Sequence, residues 1–239
     1  MDDLGDDDST VSTGQGTGDH GGEHMKRRRI ARSIGVMAAA VGLAFTSSGQ
    51  AGAIAQTAIT YDGPSWCIYG QAAVDAAAFS GAVTFATHPG CGGYKTMPAH
   101  TLSVERVLLA YDMPNNRWYE CNRTTPVQNT TASYYVNSNS SGHATCGLGQ
   151  WYASFTAAYA WDGTAWRGAW VGSNNQWVPV SLAAKSAAGS AAKTSAPPSA
   201  PKTSAADAVK RGEVRRGSST GPRIATDELL RAPTAPGGN

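Results

Sequence analysis

Cys67, Cys91, Cys121 and Cys146 are the residues of this chain best able to form covalent bonds, and they are its only cysteines. His143-x-x-Cys146 has the spacing of half a zinc site. An even cysteine count downstream of an export signal favours disulfides over metal ligation, so no metal centre is expected. The expected pairs are Cys67–Cys91 and Cys121–Cys146, because cysteines close along the chain meet most easily in hairpins. His88 and His100 fall in Pro- and Gly-containing loops and read as surface residues rather than catalytic bases.

Sequence patterns for catalysis are sparse. The chain has no G-x-S-x-G elbow, no H-E-x-x-H and no Gly-rich phosphate loop carrying a Lys. Glycoside hydrolysis needs only two carboxylates, about 5–10 Å apart. The central region supplies Asp62, Asp75, Glu105, Asp112, Glu120 and Asp162. With Asn115-Asn116 as a two-residue loop, Glu120 pairs with Tyr111. Glu105 then lies six residues up the strand, roughly 20 Å away. Asp112 pairs with Tyr119 and faces away, and Asp162 belongs to a turn. No cofactor is implied, and the balance leans away from an enzyme.

Aromatic rings are the other source of binding chemistry. All seven Trp, all nine Tyr and three of the four Phe lie in residues 54–180. Asp162-Gly163, between two apolar runs, is the strongest hairpin signal in the chain. Taken as the loop, it sets Trp161 opposite Thr164, Tyr159 opposite Trp166, Ala157 opposite Gly168 and Phe155 opposite Trp170. Alternation then gathers Trp151, Phe155, Tyr159, Trp161, Trp166 and Trp170 on one face. Ser154, Thr156, Ala158, Ala165, Arg167 and Ala169 take the other. Two accounts of the aromatic face follow. It packs against a second sheet, or part of it is exposed, with Trp151, Tyr159, Trp161, Trp166 and Trp170 taking a sugar ring or a partner's aromatic group.

These residues need strands to position them. Ser103–Tyr111, Arg117–Asn122, Ser133–Asn137, Gln150–Trp161, Thr164–Val171 and Trp177–Val180 are predicted strands, while the Ala-rich stretch Gln71–Phe79 suits either a strand or a single short helix. The fold expected for residues 54–180 is all-β, an antiparallel β-sandwich or small barrel carrying two disulfides.

The flanks differ sharply from this centre. Residues 25–53 read as a bacterial-type export signal. Lys26, Arg27, Arg28, Arg29 and Arg32 lead into the apolar run Ile34–Phe45, and Ala51-Gly52-Ala53 offers a cleavage site. Met25 is therefore the expected start. Residues 1–24, with seven acidic residues and no Lys or Arg, are an acidic, disordered extension expected to be missing from the mature protein. Residues 181–239 are rich in Ala, Ser, Pro and Lys, contain no aromatic residue, and read as a basic, low-complexity, disordered C-terminal tail. Thr226–Arg231 can form one helical turn there, unstable if alone.

Charge excludes one class of partner. Residues 54–180 hold five basic and six acidic residues, so the basic pI arises in the flanks and gives no case for nucleic-acid binding. No transmembrane segment is expected in the mature chain. The expectation is a secreted, extracellular, monomeric and non-enzymatic binding protein, directed at cell-wall glycan or an extracellular protein. Two alternatives are a secreted inhibitor or toxin-like protein using the loop His88–Tyr94, and a small secreted hydrolase.

Overall fold

The computed structural model describes residues 54–75, 80–139, 146–180 and 197–234. The extension 1–24, the export segment 25–53 and residues 181–196 of the tail lie outside them. Strands come in the order β1 (Ile54–Asp62), β2 (Cys67–Val74), β3 (Ser80–Thr87), β4 (Leu102–Asp112), β5 (Arg117–Arg123) and β6 (Val127–Gln128). They continue as β7 (Tyr135–Asn139), β8 (Gln150–Trp161), β9 (Trp166–Gly172), β10 (Gln176–Val178) and β11 (Arg215–Arg216). Two short helices, α1 (Ala205–Lys210) and α2 (Thr226–Leu229), flank β11.

The fold is the expected all-β one, built from two sheets. One runs β1-β2-β3-β7 and the other β10-β8-β4-β5-β11, with β6 beside β4 and β9 beside β8. All pairings are antiparallel except that of β11 with β5. Both expected disulfides, Cys67–Cys91 and Cys121–Cys146, are present. Gln71–Val74 completes β2, so the helical alternative for that stretch fails there; residues 76–79 lie outside the described set.

Small side chains decide which face of the larger sheet meets the smaller one. Ala158 and Ala160 pack with Leu102, Val104, Trp66, Ile68, Ala82 and Ala86 between the sheets. Thr156 donates through Oγ1 to the Gln71 carbonyl at 3.0 Å, and Thr60 to the Ala158 carbonyl at 3.1 Å. The approach is tight enough that a Cβ on Gly70 would stand 2.8 Å from that of Ala158. The sheet-to-sheet contact is thus made by the Ser/Thr/Ala face of β8, not by its aromatic face.

Both long hairpins are slipped by two residues from the two-residue-loop expectation. Trp161 pairs with Trp166, Tyr159 with Gly168, Ala157 with Trp170 and Phe155 with Gly172. The cause is Asp162, whose Oδ1 accepts from the Thr164 and Ala165 amides, each at 2.8 Å, and so draws four residues into the turn. Asp112 acts likewise, accepting from Asn115 N at 3.2 Å and Asn115 Nδ2 at 2.9 Å. Its hairpin closes at Asp112–Arg117, which sets Glu120 opposite Leu109 rather than Tyr111. A slip of two keeps every β8–β9 side chain on its own face, whereas in the β4–β5 pair an irregularity between Leu108 and Leu109 shifts the register by one more residue and sets Arg123 opposite Val107.

The C-terminal segment departs most from expectation. Residues 197–234 fold onto the domain instead of forming a disordered tail. Ser204 caps α1, accepting from Asp207 N at 3.1 Å, and β11 adds to the edge of β5. Ala205, Ala208, Val209, Val214, Ile224 and Leu229 are buried in one cluster with Val107, Leu109, Tyr111, Trp118, Ala153 and Phe155. Short apolar residues scattered through a polar sequence suffice here, because the sheet brings the large rings.

Candidate functional site

The aromatic face of the β8–β9 hairpin assembles as the alternation predicts, but the C-terminal segment covers it. Tyr159 is buried, and Trp151 and Trp170 pack, half-buried, against the cluster that holds Leu229. Trp161 and Trp166 remain half-exposed, their rings edge-on at 5.6 Å. Three indoles donate to backbone carbonyls of the covering segment: Trp118 to Thr203 at 2.8 Å, Trp170 to Arg231 at 3.2 Å and Trp166 to Thr234 at 2.7 Å. The expected sugar-binding platform is therefore already occupied over most of its area.

Under the cover lies an ion cluster created by the β4–β5 register, in which the irregularity at Leu108/Leu109 brings Arg123 opposite Val107, on the face of Glu105 and Glu120. Arg123 meets Glu105 at 2.5 Å and Glu120 at 3.2 Å, donates to the Leu229 carbonyl at 2.7 Å, and stands 5.8 Å over the Trp170 ring. Two carboxylates do converge within the β4–β5 hairpin, contrary to the sequence expectation. They converge on a guanidinium, and the Glu105 side chain is only 2 % exposed. A hydrolase needs one carboxyl free to give up a proton and a path for water. This arrangement supplies a clamp instead. Burial, and then the charge of Glu105, raises the Tyr159 pKa above the ordinary phenol value.

A cleft of about 530 Å³ opens between Asp112, Met113 and Pro114, the strand residues Tyr119 and Gln150, and the turn at Ser218-Ser219. Asp112 supplies the carboxylate of its wall. Burial pushes that group's pKa up, but hydrogen bonds from Ser219 and Asn115 and the charge of Arg117 outweigh it and hold the group low. The carboxylate is thus engaged in its own turn.

The exposed aromatic surface lies on the other sheet. Register aligns Ile59, Tyr69, Phe85 and Tyr135 in one row across all four strands, on the side away from the inter-sheet core. Tyr69 and Phe85 stack at 4.9 Å with 2° between ring planes. Phe85 meets Tyr94 edge-on at 6.2 Å, Tyr94 meets Tyr134 at 4.7 Å, and Tyr134 meets Tyr135 at 5.0 Å. Tyr94, Tyr134 and Tyr135 are 45 %, 37 % and 37 % exposed. The next register row is Gln71, Val83 and Asn137, so this border of the patch is uncharged, with polar side chains on either side of the buried Val83.

The loop of residues 88–94 sets the position of Tyr94. Cys67–Cys91 ties it to β2, His88 N donates to the Gly93 carbonyl at 3.2 Å, and Tyr69 donates through its hydroxyl to the Cys91 carbonyl at 3.4 Å. Burial and the nearby Asp62 charge raise the Tyr69 pKa. Asp62 also lies 3.2 Å from Cys67 Sγ, but both sulfurs are consumed in the disulfide and offer no thiolate to a metal.

No local sequence pattern joins these rings, because they come from β2, β3, β7 with the residue before it, and a loop. The adjacent pair Tyr134-Tyr135 in a Ser/Asn-rich stretch was the visible signal. No helix among the described residues is long and apolar enough to cross a membrane. No family model, curated protein or solved structure matches this chain.

Proposed function

We propose that this is a secreted, non-enzymatic binding protein, and that its ligand is a neutral glycan chain laid across Tyr94, Tyr134 and Tyr135. The observation that carries the reading is the run of mutually contacting rings from Tyr69 to Tyr135, with its three outer members exposed on the free side of the smaller sheet. Tyrosine suits this ligand for two reasons. Its ring faces the apolar C–H side of a sugar, and its hydroxyl bonds to sugar hydroxyls. Gln71, Asn137 and Ser133 add neutral hydrogen-bonding groups beside the rings, and the two disulfides suit an extracellular setting.

The inhibitor reading gains less support. Its loop is exposed and pinned by Cys67–Cys91, as that reading requires. However, Gly90, Cys91 and Gly93 all have positive φ, at 76°, 61° and 59°. That is a coiled turn, whereas a segment that adds to another protein's sheet edge must be extended.

Affinity electrophoresis and calorimetry against a panel of soluble bacterial wall polysaccharides test the proposal. At least one neutral polymer should bind, and the Tyr94→Ala, Tyr134→Ala double variant should weaken it by about tenfold or more. Circular dichroism should stay native. Silence across the panel, or binding that survives loss of both rings, rejects the glycan.

A further inference from the structure

The segment covering the Trp face has two unequal parts. Residues 203–230 belong to the core, anchored by Ala205, Val209, Val214, Ile224 and Leu229. Residues 231–234 do not: Arg231, Ala232 and Thr234 are exposed and Pro233 is half-buried. This end is held in place by the indole donors. Trp170 Nε1 donates to the Arg231 carbonyl and Trp166 Nε1 to the Thr234 carbonyl, at 3.2 and 2.7 Å.

The spacing of those carbonyls is informative. They lie three residues apart, the length of one turn of a polyproline II helix, which rises about 3.1 Å per residue and bonds none of its own backbone. Residues 231–234 have no regular secondary structure, and Pro233 fixes φ near the polyproline II value while keeping Ala232 out of the α region. The sequence continues Ala235-Pro236, giving Pro233-x-x-Pro236. Trp166 and Trp170, four apart on one strand, share a face, and Trp161 walls one end at 5.6 Å from Trp166. Aromatic grooves with donors at this repeat read polyproline II ligands, because such a segment is already ordered and its carbonyls need outside donors.

We propose that Trp166 and Trp170 form a binding site for a proline-rich peptide in the polyproline II conformation, occupied in this structure by the chain's own Arg231–Thr234. The site is separate from the tyrosine surface and its test does not depend on that reading. Because its occupant buries little, a peptide of the same pattern supplied in trans competes for it once the internal copy is weakened.

The probe is a synthetic peptide of residues 231–236, titrated while tryptophan fluorescence is followed. Three proteins are compared: the full chain, the full chain carrying Pro233→Ala and Pro236→Ala, and a chain ending at Leu230, which keeps the Leu229 anchor. The two altered chains should bind the peptide at least about tenfold more tightly than the full chain, as expected if two indole hydrogen bonds are vacated. A peptide with both prolines replaced by Ala should bind none of them. Adding Trp166→Phe and Trp170→Phe, which keeps the rings and removes the N–H donors, should abolish the gain. Equal affinity for all three proteins, no binding by altered chains that keep native near-ultraviolet dichroism, or equal binding of the Ala peptide each overturns the proposal.

Discussion

Glu105 and Arg123 meet at 2.5 Å between β4 and β5, beneath the C-terminal segment, with side chains 2 % and 19 % exposed. The same guanidinium also grips Glu120 and the Leu229 carbonyl and lies over Trp170. One side chain therefore joins β4, β5, β9 and the covering segment. A fork of fixed donors suits this task in a way that a lysine ammonium does not. The cluster is electrically lopsided, with two carboxylates to one cation, and among the described residues Arg123 is the cation that meets the buried Glu105.

Removing either partner should therefore be costly. Arg123→Ala leaves the Glu105 carboxylate buried without its cation, and the expected loss is about 3–5 kcal/mol. Glu105→Gln, which keeps the shape and removes the charge, should cost clearly less than Glu105→Ala. Urea unfolding midpoints provide the measurement. If Arg123→Ala costs under about 1 kcal/mol, the range of a surface pair, the clamp reading is wrong.

The C-terminal segment should behave as part of the core. Trp118 is 1 % exposed, donates to the Thr203 carbonyl, and shares a cluster with Leu229 and Val209. Leu229→Ala, the loss of a buried leucine, should cost about 2–5 kcal/mol. A chain ending at Lys202 should expose Trp118, Tyr111 and Phe155, bind hydrophobic dyes and lose cooperative unfolding. A truncated chain with the parent's midpoint and no dye binding would return residues 203–234 to the role of a loose tail.

How much of this was legible in the sequence varies by element, for physical reasons. Face assignment on the β8–β9 hairpin was readable because side chains alternate with period two, and the slip induced by Asp162 is two residues. Pairing partners were not readable, since the turn length depends on what the Asp162 and Asp112 carboxylates accept. The slip and the irregularity that follows it then decided chemistry: Glu105 and Glu120, expected roughly 20 Å apart, reach one guanidinium because Glu120 stands opposite Leu109 and Arg123 opposite Val107. Which face meets the second sheet cannot be read from ring area alone. Ala158 and Gly70 let the sheets approach closely, and that leaves the rings for the covering segment. The segment reads as a disordered tail in the sequence because Ala205, Ala208 and Val209 carry little apolar surface individually. The tyrosine row is not legible there because register, not sequence proximity, assembles it.

Alkaline pH should expose the other end of the core. Tyr152 is fully buried beside Val178, Leu108 and Val74, and its hydroxyl donates to the Gly147 carbonyl at 2.5 Å. Burial, and then the charge of Tyr119, pushes its pKa well above the ordinary phenol value of 10.0. Burial is also the first cause of the upward shifts of Tyr119 and Tyr159. A folded-state pKa above the unfolded one means that the unfolded chain ionises first. The stability these phenols contribute is thus complete below a pH of about 10 and is lost progressively above it. Unfolding free energy, measured from neutral pH upward, should fall once the ordinary phenol value is passed, and tyrosinate absorbance should lag until the fold opens. Tyr152→Phe should lower stability at neutral pH by about 1 kcal/mol through the lost hydrogen bond, yet show a shallower alkaline decline. An identical decline in the variant would assign the alkaline transition to groups other than Tyr152.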